Sequence, residues 1–371
     1  MKQLNLETQI FKFDSCEIFA KEFNLGEGDL LFTSARTYGR HFEALNMTAD
    51  VMFREQYGKG EPTDVMVDAI IEAASQKQFK RLIAVGGGSI LDIAKVLAVS
   101  NGKGVDESYN DMANLKKSCE LVIVPTTCGT GTEVTNISIL NRTRLNTKMG
   151  MVGQALYANY AVLIPELVAN LPLDIFATSS IDALVHAVES SLSPKATPFS
   201  KLFGYKAIEM IINGYKQMQE KGPEARESLL EDFLVASTYA GLAFGTAGCA
   251  AVHAMSYPLG GKYHVAHGES NYAMFIGVLN RYMAIKTDGE IAVLNSELAK
   301  LLNCDTKDVY VELENLLNQI LPKKALREYG VTQQDIDDFT EVVMTKQQRL
   351  MGNNFVTLTA EDVRHIYRLL Y

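Results

Sequence analysis

The sequence has no apolar run approaching the roughly 20 residues that a membrane span needs. Its most apolar segments, such as residues 82–85 (LIAV) and 121–124 (LVIV), are the size of strands. The opening MKQLNLETQIFKFD lacks the uninterrupted apolar core of a signal peptide. The five cysteines, Cys16, Cys119, Cys128, Cys249 and Cys304, are odd in number, scattered and without a CxxC pair. In a chain of this size they read as reduced thiols, so the expectation is a cytoplasmic protein with no membrane partner. Charge blocks are missing too. Acidic and basic residues are interspersed, the net charge is −9, and no basic face is available for nucleic acid. Histidine is scarce, with six in the whole chain.

What is present is an ordinary globular composition, 47% hydrophobic and 21% charged, over 371 residues. That length is more than one core usually serves, so two domains are expected. In the first half, residues 29–33 (DLLFT), 81–85 (RLIAV), 121–125 (LVIVP) and 161–164 (AVLI) read as buried strands. Helical periodicity separates them at residues 63–76, behind a threonine cap, and at residues 89–100. Strand and helix in alternation imply a parallel α/β sheet. After Leu171–Pro172 nothing reads as a strand. Helical stretches follow at residues 179–192, 200–219, 225–244, 289–303, 307–319, 332–349 and 360–371. The third of these carries Ala236, Ala240 and Gly241, small residues suited to close helix contact. The expected fold is an α/β N-terminal Rossmann-like parallel-sheet domain over residues 1–172 and an all-α C-terminal domain over residues 173–371. No Gly-, Ser- or Pro-rich linker and no internal repeat intervenes.

Two polar turns follow apolar strands in the first half. In Val85-Gly86-Gly87-Gly88-Ser89-Ile90-Leu91-Asp92 a strand leads through glycines into a helix. Backbone N–H groups can approach an anion there, and the helix start adds partial positive charge. Leu91 stands where the GxGxxG fingerprint needs its last small residue, and no GK[ST] makes a P-loop. A tight turn with no ligand is the competing reading. In residues 125–133 (PTTCGTGTE), threonines and glycines offer compact donors and acceptors. Ligands of parallel sheets bind beyond the carboxyl ends of the strands. Two such loops on one edge suit a dinucleotide better than either alone.

Three of the six histidines fall within residues 252–268 (VHAMSYPLGGKYHVAHG), and His186 lies four residues after Asp182. Residues at i and i+4 share a helix face, so Asp182 and His186 can grip one ion. Pro258 and Gly260-Gly261 are expected to break the helix carrying His253 and return His267 towards it. Asp182, His186, His253 and His267 then form one carboxylate and three imidazoles, a set suited to Fe²⁺ or Zn²⁺. Taken singly, an i, i+4 Asp–His pair is also a common surface hydrogen bond, and His253 on an Ala-rich helix a common core residue. Clustering in a histidine-poor chain favours the metal.

The GGGSxxD loop at residues 86–92, the PTTxGTGxE turn at residues 125–133, D-x3-H from Asp182 and H-x13-H from His253 resemble the iron-containing, group III alcohol dehydrogenases. So do residues 326–330 (LREYG) and a tail like the family's NNP…T-x-E-D, running from Asn353-Asn354 to Glu361-Asp362. The resemblance covers nearly the whole chain and implies the architecture shared with dehydroquinate synthase. Within the family, FDSCEIFAKEF and VHAMSYPLGGKYHVAHGESNY are most similar to 4-hydroxybutyrate dehydrogenases, which interconvert 4-hydroxybutyrate and succinate semialdehyde. By that resemblance Asp182, His186, His253 and His267 are metal ligands. Gly86, Gly87, Gly88 and Ser89 would hold the pyrophosphate, Thr126, Thr127 and Thr130 would line the nicotinamide side, and Lys148 would lie near the ribose. Asp92 would face ribose or amide donors.

The chain departs from the family pattern at three points. Tyr257 stands where many relatives have a histidine, and its free pKa near 10 makes it a poorer proton shuttle than an imidazole. Ser34, with Arg36 beyond it, replaces the aspartate of relatives strict for NAD, so NADP stays open beside NAD. Thr246 replaces the asparagine of an F-x-N-A-G motif. The resemblance implies metal-assisted hydride transfer from an alcohol to nicotinamide, with His264 or Tyr257 relaying the proton beside the ligand His267. The expected partners are a small alcohol or aldehyde and a second copy of the chain, as a dimer. Lys262, Arg142 and Arg144 are candidates to meet a substrate carboxylate. The alternatives are a dehydrogenase of a simple primary alcohol or diol, a lyase like dehydroquinate synthase, and a binding module without chemistry.

Overall fold

Short runs of β-branched and aliphatic residues set the order of the first unit. Its strands are β1 (Gln9–Lys12), β2 (Asp29–Thr33), β3 (Asp50–Phe53), β4 (Arg81–Gly86), β5 (Glu120–Pro125), β6 (Ile137–Arg142), β7 (Thr147–Val152) and β8 (Tyr160–Leu163). The helices are α1 (Cys16–Glu22), α2 (Ala35–His41), α3 (Asp64–Ser75), α4 (Gly88–Ser100), α5 (Val105–Asn110) and α6 (Pro165–Val168). The structure is a computed structural model that describes residues 3–145 and 147–371. It divides into two compact units, Leu6–Leu171 and Pro172–Tyr371, with residues 3–5 grouped with the second.

Six strands form one parallel sheet in the order β1-β8-β5-β4-β2-β3, and β6 and β7 form a separate antiparallel pair. Both faces of the sheet are buried, which is why its strands read as unbroken apolar runs. Leu30, Phe32, Leu82, Ala84, Leu121 and Ile123 point to one core, with Val67, Ile70, Leu91 and Ala94 of α3 and α4. Leu31, Ile83, Val85, Val122, Val124 and Val162 point to the other, with Cys16, Phe19 and Leu167. From β2 the chain steps outward to β3, then returns to β4 on the far side of β2. This reversal puts a topological switch point between the carboxyl ends of β2 and β4, where ligands of such sheets bind.

Every described element of the second unit after Pro172 is helical. They are α7 (Leu173–Leu192), α8 (Pro198–Lys221), α9 (Leu230–Ala247), α10 (Ala251–Tyr263), α11 (His267–Ile285), α12 (Glu290–Leu302), α13 (Val309–Ile320), α14 (Gln333–Lys346), α15 (Gln348–Met351) and α16 (Ala360–Leu370), with short 3-10 turns between some of them. Helices α7, α8 and α9 pack on one another, and α11 lies against α7 and α10. Small residues permit this. A Cβ on Gly214 would stand 2.6 Å from the Phe233 ring, and one on Gly204 would stand 2.3 Å from Ser191 Oγ. Among the described residues no single helix is long and apolar enough to cross a membrane.

The helix over 225–244 instead opens as a 3-10 turn, Pro223–Leu229, before α9 begins. The helix over 332–349 stops at Lys346 and resumes as α15. Helix α11 was not legible as a periodic stripe, because residues from Gly268 to Leu279 are buried on nearly every side. The expected break at Pro258 and Gly260-Gly261 does not occur. Helix α10 runs through Pro258 to Tyr263, and the chain turns at His264, in the left-handed region at φ 55°. An interior proline forfeits one backbone bond and crowds the preceding turn; here the packing of α10 against α11 and α14 retains the helix.

Candidate functional site

In the helical unit, three helices each contribute an i, i+4 pair to one point. Helix α7 brings Asp182 and His186, α10 brings His253 and Tyr257, and α11 brings His267 and Asn271. The Nε2 atoms of His186, His253 and His267 lie 4.0, 3.7 and 3.7 Å from Asp182 Oδ1. The ligand atoms of these four residues all fall within 4.8 Å of one another. The His186 ring stacks on His253 at 4.6 Å and on Phe244 at 4.4 Å. Asp182, His186 and His253 are buried, while the His267 side chain is 36% exposed and marks the accessible side.

The fit to a cation can be read from Asn271. Its amide nitrogen stands 2.6 Å from Asp182 Oδ1 and 3.2 Å from Nε2 of both His253 and His267. Three acceptor-capable atoms thus converge on one donor, the arrangement a divalent ion of borderline softness requires. Asn271 Oδ1 is itself buried with no hydrogen-bond partner among the described residues. On the opposite side of His253, Nδ1 lies 2.6 Å from Glu189 Oε2, and Glu189 Oε1 accepts from Val252 N at 2.6 Å. A carboxylate on Nδ1 fixes the proton there and directs the Nε2 lone pair inward.

The charges agree with that geometry. Burial alone would raise the Asp182 carboxyl, but the three imidazoles outweigh it and hold the group below the usual carboxylate range. Burial would depress His186, yet Asp182 and then Cys249 raise it above its ordinary value. His253 is raised further, with Cys249 and Glu189 overcoming burial. Cys249 is drawn down to about 7 against its own burial by His253 and His186.

Local packing explains why these helices meet. A Cβ on Gly268 would lie 1.9 Å from the Thr178 carbonyl oxygen, so only glycine lets the start of α11 reach α7 one turn before Asp182. Tyr257 packs its ring 5.9 Å from that of His267. Burial is the largest influence on its phenol and pushes it above its ordinary value. His264 is exposed and ends α10.

In the α/β unit, Gly86 pairs with Pro125 in the β4–β5 register, so the two loops leave the sheet side by side. Thr126 N donates to Gly86 O at 3.0 Å. The glycines are required by contact rather than by positive φ. A Cβ on Gly86 would stand 2.6 Å from Ile90 Cδ1, and one on Gly88 would stand 2.8 Å from Thr130 Cγ2. Gly87 is the N-cap of α4, and no side-chain cap bond is made at this helix start. Gly87, Gly88, Ser89, Thr126, Thr127 and Thr130 are all half-buried. Ser34 closes β2 and caps α2 through a bond from Thr37 N.

Two residues of the expected cofactor set have other engagements. Asp92 accepts from Thr132 Oγ1 and from Ile139 N, both at 2.8 Å, so its oxygens tie α4 to the threonine turn and the β6–β7 pair. Lys148 Nζ donates to Glu61 at 2.7 Å. Beside Asp92 lies Lys95, wholly buried and donating to Thr132, Thr135 and the Ile137 carbonyl. Burial lowers it to about 8 against the opposing pull of Asp92 and Glu133.

Glu189, Cys249 and Asn271 were missed in the sequence. Glu189 had a signal, since Asp182, His186 and Glu189 share one face at i, i+4 and i+7. Asn271 likewise follows His267 at i+4. Cys249 precedes α10 in a loop and carried none.

Comparison with known proteins points one way. The family model described as iron-containing alcohol dehydrogenase matches residues 10–165. That of the C-terminal part of the Fe-containing alcohol dehydrogenase family matches residues 176–371. The chain is 46% identical over 371 residues to 4-hydroxybutyrate dehydrogenase of Clostridium kluyveri, covering 100% of both chains. It is 33% identical to long-chain-alcohol dehydrogenase 1 of Geobacillus thermodenitrificans, covering 86% of this chain and 83% of that one. Among solved structures, sulfoacetaldehyde reductase from Bifidobacterium kashiwanohense in complex with NAD+ superposes with a TM-score of 0.85 at 22% identity, covering 100% and 98% of the two chains. That last likeness concerns the fold alone.

Proposed function

The chain belongs to the iron-containing alcohol dehydrogenase family, and we propose that within it this protein interconverts 4-hydroxybutyrate and succinate semialdehyde with a nicotinamide dinucleotide. The full-length match at 46% identity carries the substrate assignment. The converging Asp182, His186, His253 and His267 support the metal dependence. We assign residues 1–172 to the dinucleotide and residues 173–371 to the metal, with Fe²⁺ or Zn²⁺ as the ion. Both NAD and NADP are compatible with Ser34, whose hydroxyl carries no charge to repel a 2′-phosphate.

The ion, when bound, supplies Lewis acidity at the substrate oxygen, and the dinucleotide supplies the hydride acceptor. The chain's own residues do the rest. Asp182 and the three imidazoles fix the ion's position, and Glu189 holds His253 in the tautomer that can ligate. Backbone N–H groups of Gly87, Gly88 and Ser89 at the start of α4 meet the pyrophosphate. Thr126, Thr127 and Thr130 line the adjacent turn. Asp92 and Lys95 hold that turn against α4. Tyr257, raised by burial, is a weak proton carrier near neutrality, which leaves His264 as the relay.

The test is a screen of the purified, metal-replete protein with NAD⁺ and NADP⁺ on 4-hydroxybutyrate, butanol and 1,3-propanediol. The proposal expects one reduced cofactor per semialdehyde formed, and a higher kcat/KM for 4-hydroxybutyrate than for either neutral alcohol. Preference for butanol or the diol would make this a plain alcohol dehydrogenase. Product without net reduced cofactor would make it a lyase.

A further inference from the structure

Strands β1 and β8 are parallel with Lys12 opposite Leu163, and Phe13 N donates to the Leu163 carbonyl at 3.0 Å. The chain therefore leaves both strands side by side. One exit is the FDSCEIFAKEF segment at residues 13–23, which opens α1 with Cys16. The other opens α6 with Pro165 and Glu166. His41 closes α2. Packing holds all three in place, since Cys16, Phe42 after His41 and Leu167 after Glu166 belong to one core. The dehydrogenase chemistry gives none of them a part.

Their side chains meet at one point. The Cys16 sulfur, a His41 ring nitrogen and a Glu166 oxygen all lie within 4.8 Å of one another. His41 Nδ1 stands 3.8 Å from Glu166 Oε1, while Glu166 Oε2 accepts from Cys16 N at 2.7 Å. That backbone bond fixes the carboxylate with its other oxygen on the imidazole side, the way outer bonds orient ligating carboxylates. A tetrahedral zinc-class ion, with bonds of about 2.0–2.3 Å, sets its donors roughly 3.3–3.8 Å apart. A small contraction of the cluster reaches that spacing. The His41 side chain is 9% exposed and that of Glu166 43%, so an ion has an entry path past the carboxylate. A nucleophilic Cys–His–Glu reading fits less well. Burial, and after it Glu166, raise the Cys16 thiol above its ordinary value and keep thiolate scarce.

We propose that Cys16, His41 and Glu166 form a second divalent-cation site of the zinc class, with an open fourth position towards solvent. It lies within the α/β unit and shares no residue with the Asp182 centre. One sulfur, one nitrogen and one oxygen donor suit Zn²⁺ or Co²⁺, whereas Mg²⁺ and Ca²⁺ take oxygen ligands. On binding, the Cys16 S–H bond breaks, the sulfur bonds to the ion and the proton passes to water; nothing is oxidised or reduced. Displacing that proton costs affinity, so this site fills after the Asp182 centre. The chain purified without added metal keeps one ion, and the second enters when more is supplied.

The experiment titrates Co²⁺ into the purified protein already carrying its one ion, as wild type, Cys16→Ser, His41→Gln and Cys249→Ser. A thiolate ligand gives Co²⁺ a sulfur-to-metal charge-transfer band in the near ultraviolet; the nitrogen and oxygen donors of the Asp182 centre give none. The wild type should show that band, saturating with one added equivalent and bleached by Zn²⁺. Cys16→Ser should abolish it, and Cys249→Ser should keep it. His41→Gln should weaken the affinity at least about 100-fold, since even an outer partner of a metal ligand is worth about 10- to 100-fold. No band in the wild type would overturn the site. So would a band that survives Cys16→Ser, or one that only Cys249→Ser removes, because Cys249 beside His253 would then be the ligand. Serine keeps a hydroxyl donor for Glu166, and an unchanged melting temperature shows that the band is lost with the ligand and not with the fold. Should Cys16→Ser unfold, unaltered Co²⁺ affinity in His41→Gln overturns the site by itself.

Discussion

Asp182, His186 and Glu189 divide the work of one helix face. The first two converge with His253 and His267 on the proposed metal site, and the third reaches across to His253 Nδ1. Because that bond sets the tautomer, Glu189→Gln should cost about 10- to 100-fold in metal affinity with little change in fold, measured by titration of metal-free protein. Unaltered affinity would reduce Glu189 to a core hydrogen bond. The imidazoles also set a pH dependence. In the metal-free protein, His186 and His253 are raised above 6.5. Their protonation therefore stabilises the metal-free fold fully below 6.5, and that contribution is lost as pH rises through the raised values. Metal binding must displace those protons. Metal retention should accordingly fall on acidification, starting above pH 6.5, as read by metal content after dialysis at stepped pH. Retention that held steady well below that value would contradict it. The convergence of Asp182, His186, His253 and His267 was legible because histidine is rare and the i, i+4 spacing is a helix signature. Asn271 shares the i, i+4 signal with His267, but a neutral amide is not a usual metal ligand and so drew no attention. Asp92 was expected to face ribose or amide donors by resemblance alone; its oxygens accept here from Thr132 and Ile139, partners that no spacing in the sequence announces.

At the scale of elements, the approach of α11 to α7 depends on one missing Cβ. Gly268→Ala would set a methyl 1.9 Å from the Thr178 carbonyl oxygen, in backbone that cannot move as a side chain can. The cost should be about 1–3 kcal/mol or more of stability, with His267 drawn away from Asp182. Loss of both melting temperature and bound metal is expected. A variant that kept full metal content would show that the helices can meet another way. Element type was readable where an unbroken apolar run marked a strand, as in β2, or a helical period dominated, as in α3 and α8. It failed where burial erased the contrast, as in α11, and where punctuation misled. Pro258 and Gly260-Gly261 look like a break, yet the turn is made by His264. The β6–β7 pair escaped because its strands mix charged, polar and apolar residues around a short connection.

At the scale of the molecule, the strand-to-helix change in patterning after Leu171–Pro172 coincides with the division into two compact units. Under the proposed function each unit would hold one half of the chemistry: the helix start of α4 in one, and the converging Asp182, His186, His253 and His267 in the other. A metal site built from three separate helices ties local geometry to the fold of the whole helical unit, so binding should stabilise that unit as well as enable turnover. The most direct measurement is anaerobic metal analysis of the purified chain combined with dinucleotide-linked alcohol oxidation before chelation, after it, and after adding back Fe²⁺ or Zn²⁺. The account predicts one ion per chain, loss of turnover as that ion is removed, and recovery when it is returned. Full turnover by metal-free protein would contradict it.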